Sequence, residues 1–362
     1  MSRKEIWQGN EALAEAAIRA GCTFFAGYPI TPQTEIVEYL SWRLPEVGGT
    51  YLQSESEVAA INMVIGASIG GARAMTASSN PGIALMTEGF GAMASGRFPA
   101  VIVDVQRAGA ANVGITASQS DYNLLTKTFG PGGLRAFVLG PSDVQELVNL
   151  MGVAFDVADR YMTPVVVLTE SIVGQMMEPI VFDDVIPDKK YDKSSFIPSG
   201  KGNGGRHFIQ DSPVKMEGSD PFSVARNAQS MYRSYDAMYK KWEEKELMVE
   251  KYRMEDAEYV FIAWGAAARI TLDAVKRLRE DGIKVGLLRP ITLFPFPNKE
   301  IAALKPQEIK GVMSVEMAIP AQLYYDVKGN LNRSIPLACY NTGAGMITNA
   351  VEVEESFRKT FL

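Results

Sequence analysis

The residues best suited to chemistry fall in two short segments. Tyr28-Pro29-Ile30-Thr31-Pro32-Gln33-Thr34-Glu35 sets a threonine hydroxyl between two prolines, and Gln53-Ser54-Glu55-Ser56-Glu57-Val58-Ala59-Ala60 carries a carboxylate into an apolar stretch. The prolines fix φ and delay any helix until after Pro32, so Thr31 is presented on a stiff loop, able to meet a ligand. The competing reading is a tight turn in which Thr31 caps a helix starting at Gln33. Glu57 has Val58, Ala59, Ala60 and Ile61 as neighbours. Desolvation there would raise its pKa and let it share a proton with a ligand nitrogen. Stabilisation of a first helical turn explains Glu55 and Glu57 equally well.

Two further groups join them. Arg107 ends the apolar run AVIVDVQ, and a guanidinium there suits bidentate recognition of a carboxylate, with an exposed ion pair as the alternative. Ser78, Ser79, Asn80 and Gly82 form a polar turn after another apolar run. In an open α/β sheet the loops after the strands gather at one edge, where ligands bind, so Pro29, Thr31, Glu57, Ser78, Ser79 and Arg107 are expected together.

The elements that must position them alternate β and α. Short strands are expected over 23–26, 50–53, 73–77, 100–106, 134–139 and 164–168. Helices are expected over 10–21 with Asn10 as N-cap and Gly21 as C-cap, over 56–71, 83–94, and 143–160 capped by Ser142. Residues 1–180 then form one doubly wound α/β domain. Residues 181–255 are a linker or lid: a Gly, Lys, Ser and Pro-rich stretch, then one long helix over 227–251. Its Met231, Tyr235, Met238 and Trp242 stripe reads as a packing face. A second α/β unit occupies 256–362, its YVFIAWG strand, amphipathic helix and KVGLLRPIT strand implying a right-handed crossover and a small parallel sheet.

Composition narrows the function. A net charge of −6, with no run of five basic residues, argues against nucleic-acid binding. No apolar run is long enough to span a bilayer and the N-terminus lacks a signal-peptide core, which points to the cytoplasm. Cys22 and Cys339 are too few for a four-cysteine iron–sulfur cluster or a structural zinc site, so any redox metal belongs to a partner. His207, the single histidine, lies beside the Gly-rich stretch and is read as non-catalytic. Gly66, Gly70 and Gly71 fall late in a helix, where they serve close packing better than a dinucleotide. No Walker A sequence is present, and no Gly-Asp-Gly followed by Asn supplies a diphosphate and magnesium cradle.

YPITPQTE, SESEVAAINMVIGAS, SSNPGI, PAVIVDVQR and SQSDY, with EDAEYVFIAWG and LLRPITLFPFP further on, make the chain resemble the alpha-type subunit of 2-oxoacid:ferredoxin oxidoreductases over nearly its whole length. The nearest branch is that of the 2-oxoisovalerate (branched-chain) enzymes, then the 2-oxoglutarate enzymes. The resemblance implies two doubly wound units, a thiamine-diphosphate pyrimidine-binding domain and a smaller transketolase C-terminal-like domain. It implies a thiamine-diphosphate-binding beta subunit holding the diphosphate and magnesium, a gamma subunit, a ferredoxin-like subunit with [4Fe-4S] clusters, and ferredoxin or another electron acceptor.

By the same resemblance Glu57 hydrogen-bonds the aminopyrimidine ring and favours the tautomer that deprotonates the thiazolium carbon. Thr31 and Arg107 contact the substrate carboxylate, and Pro29, Ser78 and Ser79 border the cofactor. Carbon dioxide leaves, two electrons pass singly to the clusters, and coenzyme A takes the acyl group. The chain departs from the family pattern after Arg107, where Ala108-Gly109-Ala110-Ala111-Asn112-Val113-Gly114 replaces the usual Gly-Gly-Pro loop. Because this loop should border the substrate side chain, an aromatic or small 2-oxoacid stays open. So do a non-oxidative thiamine-dependent decarboxylase or transketolase-like subunit, and a non-catalytic scaffold.

Overall fold

The computed structural model describes residues 4–109, 114–182, 193, 197 and 221–362. The first half carries strands β1 (Glu5–Gln8), β2 (Phe24–Gly27), β3 (Thr50–Gln53), β4 (Ala74–Ser78), β5 (Ala100–Gln106), β6 (Phe137–Leu139), β7 (Pro164–Glu170) and β8 (Met177–Ile180). The second half adds β9 (Val249–Tyr252), β10 (Tyr259–Ala263), β11 (Val285–Pro290), β12 (Thr292–Phe294), β13 (Gly311–Glu316) and β14 (Leu337–Asn341).

Every residue of β4, β5 and β7 is buried, as expected of parallel strands covered on both faces. The large sheet runs β12-β6-β7-β5-β4-β2-β3, parallel throughout except for β12 at its edge. One face packs on the helices Gly9–Arg19, Thr34–Glu46 and Val144–Tyr161, the other on Glu57–Ile69 and Thr87–Gly96. This is the doubly wound arrangement the βα alternation implies. A smaller sheet, β14-β13-β10-β11-β9, is parallel except for β9, and β1 pairs antiparallel with β8 apart from both.

Several local expectations are corrected. Asn10 is not an N-cap: Gln8 holds the extended cap position, the helix starts at Gly9, and Asn10 is buried one residue inside it. That helix ends at Arg19, with Ala20 in place of Gly21 at its C-cap. Asp143, not Ser142, caps the helix Val144–Tyr161, accepting from Glu146 N at 2.8 Å, while the Glu146 carboxylate reaches back to Ser142 N, also at 2.8 Å. The helix expected over 83–94 is two, Asn80–Leu85 and Thr87–Gly96.

The helix expected over 227–251 spans Pro221–Lys245, and the residues after it form β9. Here pairing with β11 outweighs helical periodicity, because Glu250 meets Arg289 at 2.6 Å across the ladder. The stripe on the helix is a packing face. Trp242 is fully buried among the rings of Phe137, Tyr161, Tyr239 and Phe294.

Arg289 ties the small sheet to the helix Val144–Tyr161 of the first unit. From β11 it donates to both Glu146 oxygens at 2.8 Å and to Glu250, with its own side chain one-tenth exposed. Arg289→Ala would leave the partly buried Glu146 carboxylate with Ser142 as its remaining partner, and losing charge-assisted hydrogen bonds of this kind costs about 1.5–3 kcal/mol. A lowered denaturant midpoint with an unchanged m-value is expected; an unchanged midpoint would refute the clamp.

Candidate active site

The loop after β2 is held from both sides. Gln33 Nε2 donates to Tyr28 O at 2.9 Å and Gln33 N to Ile30 O at 3.0 Å, and the Thr31–Pro32 peptide is cis. The buried Asn10 amide donates to Pro32 O (2.6 Å) and Glu35 Oε2 (2.8 Å), and Gln175 Nε2 bonds the same two atoms at 3.1 and 3.0 Å. Thr31 is exposed and caps nothing: the helix Thr34–Glu46 takes Gln33 at its cap position, without a side-chain bond. The tight-turn reading of Thr31 as a cap is therefore set aside.

Arg107 emerges where β5 ends. Its Nη1 donates to Thr31 O at 2.8 Å, and its backbone N donates to Asn80 Oδ1 at 2.9 Å. Asn80 in turn donates to Ser120 Oγ at 3.3 Å. The loops after β2, β4 and β5 are thus bonded to one another at a single sheet edge.

Glu57 opens the helix Glu57–Ile69, with Ser56 as cap accepting from Ala59 N at 3.2 Å. It is 6% exposed, whereas Glu55 faces solvent, so only one of the two acids points inward. A Cβ on Gly82 would lie inside the contact distance of both Ser78 Oγ and Glu57 Oε1, which places those two atoms around one spot that only glycine leaves open. Ser78 and Ser79 are fully buried, and neither hydroxyl has a hydrogen-bond partner among the described residues. The structure joins Thr31 to Arg107 and Glu57 to Ser78, and Asn80 connects the Ser78–Ser79 turn to Arg107.

The segment Ser118–Tyr122 docks the second unit onto this edge. Gln119 Nε2 donates to Glu170 Oε1 at 2.6 Å and to Trp264 O at 2.9 Å, while Gln119 and Met317 exchange bonds of 2.8 and 2.9 Å. Tyr122 Oη donates to Asp326 Oδ2 at 2.5 Å. Glu170, at the end of β7, also accepts from Ala266 N at 3.1 Å, in the first turn of the helix Gly265–Glu280. Burial pushes Glu170 up to about 8, against the opposing pull of Gln119 and Ala266. Sequence reasoning missed Asn10, Gln119 and Glu170. The SQSDY motif was the only signal pointing to Gln119.

Residues 110–113, which follow Arg107, and His207 lie outside the described residues. The chain flanking 110–113 closes with Ala108 N on Thr116 O at 2.8 Å, and Gly345 of the second unit, at φ +86°, abuts Thr116 and Ala108. Among the described residues no three His, Cys, Asp or Glu side chains converge as a metal site, and no helix is long and apolar enough to cross a membrane.

Residues 15–253 match the family described as pyruvate flavodoxin/ferredoxin oxidoreductase, thiamine diP-binding, and residues 257–356 match pyruvate:ferredoxin oxidoreductase core domain II. The chain is 41% identical over 324 residues to the ketoisovalerate oxidoreductase subunit VorB of Methanothermobacter thermautotrophicus, covering 90% of this chain and 89% of that one. It is 39% identical over 347 residues to the 2-oxoglutarate synthase subunit KorA of Methanocaldococcus jannaschii, covering 90% and 91%. A solved 2-oxoglutarate:ferredoxin oxidoreductase from Magnetococcus marinus, with 2-oxoglutarate, coenzyme A and succinyl-CoA bound, superposes with a TM-score of 0.85 at 26% identity, over 100% of this chain and 66% of that one.

Glu170 gives the fold a pH signature. Its pKa is raised from the usual 4.5, so the folded state holds a proton that the unfolded state has released. The stability this brings is full below about 4.5 and is lost as pH rises through about 8. Melting temperature measured across that window should fall, and Glu170→Gln should flatten the slope even if it lowers the whole curve. An identical slope in the variant would exclude Glu170 as the titrating group.

Proposed function

The chain belongs to the pyruvate flavodoxin/ferredoxin oxidoreductase family, and from that premise we propose that it is the pyrimidine-binding subunit of a cytoplasmic, coenzyme A-dependent 2-oxoacid:ferredoxin oxidoreductase acting on a branched-chain 2-oxoacid. The observation that carries this is the buried Glu57 carboxylate facing Ser78 across Gly82, on the sheet edge that also holds Arg107 against Thr31. The likeness to the ketoisovalerate enzyme subunit favours the branched-chain substrate. 2-Oxoglutarate is the second reading, favoured by the likeness to the 2-oxoglutarate synthase subunit.

The residues fit one end of thiamine diphosphate. A buried carboxylate, two buried hydroxyls without partners among the described residues and a glycine that leaves space between them suit a flat ring bearing polar nitrogens. When bound, the cofactor supplies the electron sink for decarboxylation. Glu57 would hold and exchange a proton at a ring nitrogen, Ser78 and Ser79 would take its remaining polar contacts, and Pro29 would wall the ring. Thr31 and Arg107 would orient the substrate carboxylate, the guanidinium being placed by its bonds to the Thr31 carbonyl and the Asn80 amide. Residues 1–180 are the pyrimidine-binding unit of this reading, 181–255 the connection and 256–362 the transketolase C-terminal-like unit.

The partners proposed are a beta subunit with the diphosphate and magnesium, a gamma subunit and a [4Fe-4S] ferredoxin-like subunit. Tyr28, Leu52, Val58, Leu85 and Ile115 expose large apolar surface on segments that leave this same edge, as a docking face for such a subunit would.

Co-expression with the partner subunits should give 2-oxoacid-dependent viologen reduction that the chain alone lacks. In that complex Glu57→Gln should lower the rate by about 10²–10⁴-fold, the range for a lost acid–base group, with assembly intact. Near-normal turnover would remove Glu57 from the mechanism. Gly82→Ala should displace Glu57 and Ser78 and weaken thiamine diphosphate binding, measured by titration calorimetry on the assembled complex. Unchanged affinity would show that the cofactor lies elsewhere.

A further inference from the structure

A second pair of acids lies beside this site. Asp104 is in β5, in register with Ser78 of β4 and Leu168 of β7, so it shares a face with Ser78 and, two residues on, with Gln106. It is fully buried, and neither of its carboxyl oxygens has a hydrogen-bond donor among the described residues. Asp121, 7% exposed, is its charged neighbour, and Asp121 Oδ2 likewise has no hydrogen-bond partner among the described residues. Gln106 fixes Asp121 in place: Gln106 Oε1 accepts from Asp121 N at 3.0 Å and Gln106 Nε2 donates to Thr169 O at 3.1 Å. Two ionised carboxylates contain no donor and repel. A hydrogen bond between them requires one proton, held on one of them.

We propose that Asp104 and Asp121 share a single proton, the Asp104 acid donating to the Asp121 carboxylate, and that this bond closes the base of the loop carrying Arg107 and so positions its guanidinium. The chain leaves β5 at Gln106, and Asp121 precedes the helix Tyr122–Thr126, so the acid pair and Gln106 tie these two points together beside the Asn80 bridge from Arg107 N to Ser120 Oγ. Burial raises both acids, Asp104 well above the usual carboxylate range. The other charged groups nearby are occupied elsewhere. Glu57 lies across Ser78 against Gly82, Arg107 turns to the Thr31 carbonyl, and Glu170 is held by Gln119 and Ala266 N. No cation from β4, β7 or the 118–122 segment faces the pair. The shared proton stands on the geometry of this chain; its consequence for substrate binding rests on the role proposed for Arg107.

Infrared difference spectra of the full chain at neutral pH test the proton. A carbonyl band of a buried carboxylic acid is expected that is lost in Asp104→Asn, shifts in Asp121→Asn as its acceptor changes, and survives Glu170→Gln, which removes the other raised acid of this edge. A band unmoved by both aspartate variants overturns the proposal, and should Asp104→Asn not fold, the Asp121→Asn shift decides alone. In the assembled complex, alkaline titration that draws off the proton should raise KM for the 2-oxoacid severalfold, more than it changes kcat. Asp104→Asn, whose amide keeps a donor toward Asp121, should lack that alkaline rise. A rise of the same size in this variant overturns the positioning role; a spectroscopic band without any KM effect keeps the shared proton and rejects its link to Arg107.

Discussion

The register of the parallel strands β3, β2, β4, β5 and β7 is the constraint on which the rest depends. Each crossover returns the chain across a face, so every strand ends at the same edge and residues far apart in sequence become neighbours there. Thr31 and Arg107, 76 positions apart, are in hydrogen-bond contact for this reason. Burial of β4, β5 and β7 on both faces leaves their register no slack. A slip of one residue in β5 would exchange Val103 and Val105 for Asp104 and Gln106, setting two polar side chains in one hydrophobic core and two valines against the polar edge.

Crowding loops onto a buried edge creates a second problem, the pairing of backbone groups with no strand to bond. The molecule meets it with amide side chains. Asn10 and Gln175 both donate to the Pro32 carbonyl, Gln33 to Tyr28 O, Gln106 to Thr169 O, Gln119 to Trp264 O and Gln322 to Ser120 O. An amide offers a donor and an acceptor without a charge, so it can satisfy a loop in a site where an unpaired charge would be costly. Among the described residues, the Ser78 and Ser79 hydroxyls and the Asp104 carboxyl, around Glu57 and the stem of the Arg107 loop, are among the buried groups left without a partner.

Much of this was legible in the sequence. Apolar runs located the parallel strands, and the punctuation of YPITP, SSNPG and the arginine after AVIVDVQ located the loops of the site. The misreadings have physical causes. Asparagine before an apolar helix is the pattern of an N-cap, yet Asn10 serves as a buried donor to a loop 22 positions on. Ser142 and Asp143 are both good caps, and only the bond from Glu146 N chooses between them. Lys245 to Tyr252 fits helix and strand periodicity alike, and the choice is made by pairing with β11. Gln119 and Glu170 were invisible because their partners lie 51 to 198 positions apart along the chain. Glu57 was separable from Glu55 only by the direction each side chain takes.

The strand β12 bears on how such a chain can be divided. It lies in the C-terminal half, between a strand of the small sheet and the helix Asn298–Ala302, but its partner is β6 at the edge of the large sheet. The C-terminal half therefore completes the large sheet, and cutting the chain between the sheets would expose an unpaired edge on β6 along with the apolar residues β12 covers. The two units are joined by a shared sheet and are not modules connected by a tether. They should unfold in one cooperative transition, and a gene encoding either half alone would make an incomplete protein.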